Sequence, residues 1–106
     1  MRYSIFRATQ YLAPMTDAYN HRASDRVRIE LIEADIDMAF SLVDDAREEF
    51  HEGNAEFAHA ALDDANKVVR DIEERLAKLD PEHRAPFGPL LDELRKAIQV
   101  AQAECA

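Results

Sequence analysis

The chain has 106 residues and carries 22 acidic against 13 basic side chains, a net charge of -9. That length allows one core but not a core plus an independent catalytic lobe, and the charge opposes non-specific binding to nucleic acid or an anionic membrane while favouring a basic protein partner. With only two glycines and four prolines in a chain rich in Ala, Leu, Glu, Asp and Arg, an all-α fold is expected, not a β or α/β one.

The N-terminal segment, residues 1–23, differs from the rest. Residues 1–28 hold Arg2, Arg7, Arg22, Arg26 and Arg28 against Asp17 and Asp25, a net +3, which leaves -12 for the remainder. The same stretch carries Tyr3, Ile5, Phe6, Tyr11, Leu12, Met15 and Tyr19, too much apolar surface for a solvated tail. A partly ordered segment follows, with a short helix around residues 3–12, interruption at Pro14 and a turn before Ser24. Its arginines are expected to lie across the acidic bundle or to reach a neighbouring subunit.

The first long helix is predicted over residues 24–52, capped by Ser24 or Asp25. Ile29, Ile32, Ile36, Ala39, Val43, Ala46 and Phe50 supply its 3-4 apolar seam. Gly53 can take the left-handed conformation that ends a helix, and the Asn54 side chain can accept from the first amides of the next. The second helix, residues 54–80, continues the rhythm through Ala55, Ala58, Leu62, Ala65, Val69, Ile72, Leu76 and Leu79, and Asp80-Pro81 stops it. Residues 81–88 read as a connector with one turn beginning at Pro81. The third helix, residues 89–105, is shorter, and Phe87, Leu91, Leu94, Ile98, Ala101 and Cys105 repeat at the same spacing. The sum is an antiparallel bundle of three long helices plus a shorter N-terminal element, approximately four-helical.

The third helix is too short to cover the whole groove between the first two, and the first helix carries a further apolar set, Leu31, Met38, Phe40 and Leu42, beside its seam. Phe57 likewise falls outside the seam of the second helix. These five residues are the candidate interaction surface, and the occupant expected is the N-terminal segment or a second copy in a homo-oligomer, most simply a dimer. The single cysteine, Cys105, rules out an intrachain disulfide and reads as a small apolar residue closing the last helix. No apolar run approaches the roughly 20 residues that span a bilayer, and no secretion-signal pattern opens the chain, so a cytoplasmic location is expected.

Around the turn, Leu42, Ala46, Gly53, Ala58, Leu62 and Ala65 stand near the small and large positions of a helical hairpin, and residues 42–65 resemble a single tetratricopeptide-repeat unit. The pattern departs from that family at Glu49, where an aromatic is usual, and at Arg70, where a proline closes the unit. The resemblance implies protein interaction, not chemistry.

Three pairs place a carboxylate three residues before a histidine: Glu48 with His51, Glu56 with His59, and Asp80 with His83. Di-iron four-helix bundles use Glu-x-x-His pairs that project inward, which makes a metal-binding or redox bundle built on Glu48, His51, Glu56 and His59 one alternative. Against it, both of those pairs fall off the apolar seams, and Asp80 and His83 straddle a proline connector. A second alternative is histidine phosphotransfer: Ala58-His59 followed by Leu62 resembles the exposed histidine of such bundles, although Leu62 and Asp63 stand where that family places a lysine and a small residue. Asp44, Asp45, Glu48, Glu49, Glu52 and Glu56 crowd the turn without a calcium-loop pattern and read as a solvated acidic tip or a docking surface for a basic partner. There is no glycine-rich phosphate loop, nucleophile elbow or cysteine-histidine zinc set. The primary expectation is therefore a non-catalytic interaction or assembly module with no catalytic residue, metal or cofactor.

Overall fold

A computed structural model describes the backbone from residue 17 and the side chains from residue 25 to the C-terminus. Among the described residues there are four helices and no strand: α1 (Asp17–His51), α2 (Ala55–Ala77), α3 (Pro81–Arg84) and α4 (Phe87–Glu104). The all-α expectation holds. The short helix expected around residues 3–12 lies outside the described residues.

The first boundary differs from the sequence expectation. Ser24 and Asp25 do not cap the first helix; α1 already runs at Asp17 and spans 35 residues, about 52 Å. No glycine or proline interrupts the chain between Pro14 and Gly53, so no backbone signal stops the helix there. Asp25 is used instead for a contact between elements, as set out below.

The reversal after α1 closes as a Schellman motif. The Asn54 amide donates to the Glu49 carbonyl at 2.8 Å and the Gly53 amide to the Phe50 carbonyl at 3.1 Å, with Gly53 at φ 90°. The Asn54 side chain does not cap α2, because its Nδ2 donates to Glu49 Oε2 at 2.6 Å and so looks back toward the helix that ends, not the one that begins. A Cβ at Gly53 meets no atom within 4 Å, which leaves backbone conformation as the obstacle. Gly53→Ala is expected to cost about 1–2 kcal/mol in urea denaturation.

α2 returns along α1, and α4 lies in the groove between them, parallel to α1. Arg47 near the end of α1 meets Glu104 at the end of α4 at 2.8 Å, whereas Arg95 in mid-α4 pairs with Glu73 near the end of α2. The core holds Ile32, Ile36, Ala39, Val43 and Ala46 from α1, Ala58, Leu62, Ala65, Val69, Ile72 and Leu76 from α2, and Phe87, Leu91, Leu94, Ile98 and Ala101 from α4. Alanines at Ala39, Ala46, Ala58 and Ala65, all fully buried, let the two long helices approach closely. Cys105 is buried at the end of this core. The described part measures 58 × 32 × 14 Å, so it is thin enough that each long helix keeps a back turned to solvent.

Candidate functional site

Where α2 ends, three elements converge on one carboxylate. Asp25 is 0% exposed, a rare state for an aspartate unless its charge is met. Its Oδ1 accepts from Arg28 at 3.2 Å, one helical turn on in α1. Its Oδ2 accepts from the backbone amide of Asp80 at 3.3 Å and stands 2.9 Å from His83 Nδ1. Asp80 is the N-cap of α3 with an extended backbone (ψ 146°), and its carbonyl accepts from the amides of His83 and Arg84, both at 3.0 Å. Pro81 in the first turn presets that conformation. The carboxylate thus ties the connector to α1 at the open end of the hairpin. The Asp25 hydrogen bond, together with the negative field of Asp25, Glu82 and Asp80, raises the His83 pKa above its ordinary 6.5 against a smaller opposing desolvation.

Donor atoms from Asp25, Asp80 and His83 lie within 4.8 Å of one another, and among the described residues no other group of three histidine, cysteine or acidic side chains comes so close. Of the three carboxylate-histidine pairs in the sequence, the one interrupted by proline is the one the fold completes with a third donor. Glu48, His51, Glu56 and His59 are all exposed, spread over the end of α1 and the start of α2, and are not gathered into such a group. His59 Nε2 is 2.6 Å from the Cys105 carbonyl oxygen, which ties α2 to the end of α4. Asp25 was legible only as a helix cap; its burial had no signal in the local sequence, because the partners lie 55 and 58 residues away.

The five residues of the expected interaction surface divide into two groups. Phe40 and Leu42 are half-buried and pack against the core, because α2 and α4 both lean on α1 and widen its covered arc. Leu31 and Met38 are exposed on the opposite side of α1, and Phe57 is exposed at the acidic tip beside Asp45, Glu48 and Glu49. Val27 joins Leu31 and Met38 on the same line, a residue that the sequence reading left out. Arg75 of α2 reaches across to Asp35 of α1 and joins the two long helices on their solvent side.

No helix among the described residues is long and apolar enough to cross a membrane. No family model, curated protein or solved structure matches the chain.

Proposed function

We propose that the chain is a small non-catalytic assembly module in which a second copy packs antiparallel on the solvent-facing back of α1. One observation carries this reading. Val27, Leu31 and Met38 are 56%, 44% and 50% exposed, and with the exposed Ala34 they recur at 4-3-4 spacing along one line of the helix. A stripe of this rhythm is the seam of a helix pair, and leaving it in water forfeits its burial energy.

A second copy is favoured as the occupant by the charge polarity of α1. Arg26 and Arg28, the latter paired with Asp25, lie toward one end of the stripe with Glu30 beside them, and Asp37, Asp44 and Asp45 lie toward the other. Antiparallel pairing sets the basic end of each copy beside the acidic end of its partner, and a two-fold axis lets the same patch serve both. The stripe is about 17 Å long, which places the contact at the small, reversible end of specific interfaces.

Light scattering across protein concentration tests this. The wild type should pass from monomer to dimer as its concentration rises. Leu31→Asp should remain monomeric with its helical content intact. A wild type that stays monomeric throughout, or a Leu31→Asp variant that dimerises equally well, would refute the reading. Phe57, exposed among the carboxylates of the turn, favours a second surface for a basic protein partner, whose complex would loosen as salt is added.

A further inference from the structure

We propose that Asp25, Asp80 and His83 form a binding site for a divalent transition-metal ion, with Zn2+ or Mn2+ as the fitting class. The site is independent of the assembly surface. Its donors come from two regions of the fold: Asp25 from the third turn of α1, and Asp80 and His83 from the N-cap and first turn of α3. All three donor atoms lie within 4.8 Å of one another, a separation that ligands spanning one ion reach with small side-chain adjustment. Asp25 Oδ2 and His83 Nδ1 stand 2.9 Å apart, close to the edge of an octahedral shell around an ion about 2.1 Å from each, and would separate by about 0.5 Å to span a tetrahedral zinc edge. Two oxygens and one imidazole nitrogen suit zinc, manganese or iron better than calcium or magnesium, which prefer all-oxygen shells, or copper(I), which prefers sulfur.

The surroundings support the same assignment. The Asp25 side chain is 1% exposed and cannot swing away, and Arg28 on Oδ1 orients the carboxylate so that Oδ2 faces the imidazole. A hydrogen bond to the non-ligating oxygen is the usual way a carboxylate ligand is aimed. Asp80 and His83 are only half-buried, so an ion reaches the site from solvent and water completes its shell. The ion takes the place of the imidazole proton that otherwise bridges His83 and Asp25. Because the donors join α1 to the α2–α3 link, binding closes the open end of the hairpin and stabilises the folded state by linkage.

Calorimetric titration of the chelator-treated full chain with zinc chloride, and separately with manganese chloride, tests the site. One ion per chain and a raised melting temperature are expected. Asp80→Asn and His83→Gln, both of which keep the buried Asp25, should each weaken binding by at least about tenfold. His51→Gln and His59→Gln should leave it unchanged. Absence of saturable binding, or binding that survives both Asp80→Asn and His83→Gln, would overturn the proposal. Should those two variants lose their far-ultraviolet helical signal, X-ray absorption on the zinc-loaded wild type decides. One imidazole among oxygens supports the site, and a sulfur or a second imidazole in the shell overturns it.

Discussion

Leu94→Ala is expected to destabilise the fold by about 2–5 kcal/mol and to lower the melting temperature by on the order of 10–25 °C. Leu94 is 0% exposed at the middle of α4, between Leu91 and Ile98, where the helix sits in the groove of the α1–α2 hairpin. Its truncation removes the three carbons beyond Cβ from water-free packing and leaves a void. The neighbouring backbone is poorly placed to fill that void, because the alanine-lined seam already brings α1 and α2 close together. A domain of this size holds only about 5–15 kcal/mol in total, so the variant approaches the limit of folding at physiological temperature. Leu90→Ala is the matched control. Leu90 lies on the same helix but is 41% exposed, and its truncation should cost under about 1 kcal/mol. Equal losses at the two positions, measured by urea denaturation, would mean that α4 is not seated as described.

Leu94 also illustrates which parts of the fold were legible in the sequence. All six seam residues of the third helix, Phe87, Leu91, Leu94, Ile98, Ala101 and Cys105, are buried, and so are Ala58, Leu62, Ala65, Val69, Ile72, Leu76 and Leu79 of the second seam. Period and spacing carry that information because each helix buries one stripe, and a stripe is a local property. Ala55 is the exception: it follows the rhythm but is exposed at the turn, where no facing helix continues. The second apolar set on α1 was harder to sort. Leu31 and Leu42 look alike in sequence, yet one faces solvent and the other leans on the core, because the direction from which α4 approaches is a tertiary fact. The cluster around Asp25 lay furthest from view. The sequence carries Asp80-x-x-His83, but local rules do not assure helical geometry across Pro81. The structure brings the pair together through a short turn with Asp80 as cap, not through a continuous helix. The third member comes from a position that local rules reserve for capping, so only the packing of α1 against the α2–α3 link reveals it.

That packing supports the second large effect. Asp25→Ala is expected to cost about 1–3 kcal/mol in metal-free buffer, because it removes the common acceptor of Arg28, His83 and the Asp80 amide and leaves a small void. The figure stays below that for breaking a fully buried pair, since the Arg28 and His83 side chains are 32% and 34% exposed and can turn to water once the carboxylate is gone. The loss should depend on pH in a definite direction. The folded-state pKa of His83 is raised, so the stabilisation from its protonated ring is fully present below about pH 6.5 and disappears as the pH climbs through the folded value. The gap in stability between wild type and Asp25→Ala should therefore be widest in mildly acidic buffer and narrow in alkaline buffer, with the other contacts of Asp25, those to Arg28 and the Asp80 amide among them, accounting for what is left. His83→Gln should remove most of that pH dependence while leaving Asp25 buried. Urea denaturation of the three proteins across this range, with chelator present, checks both statements. A gap that widens as the pH rises would show that His83 is not the group whose charge holds the connector to α1.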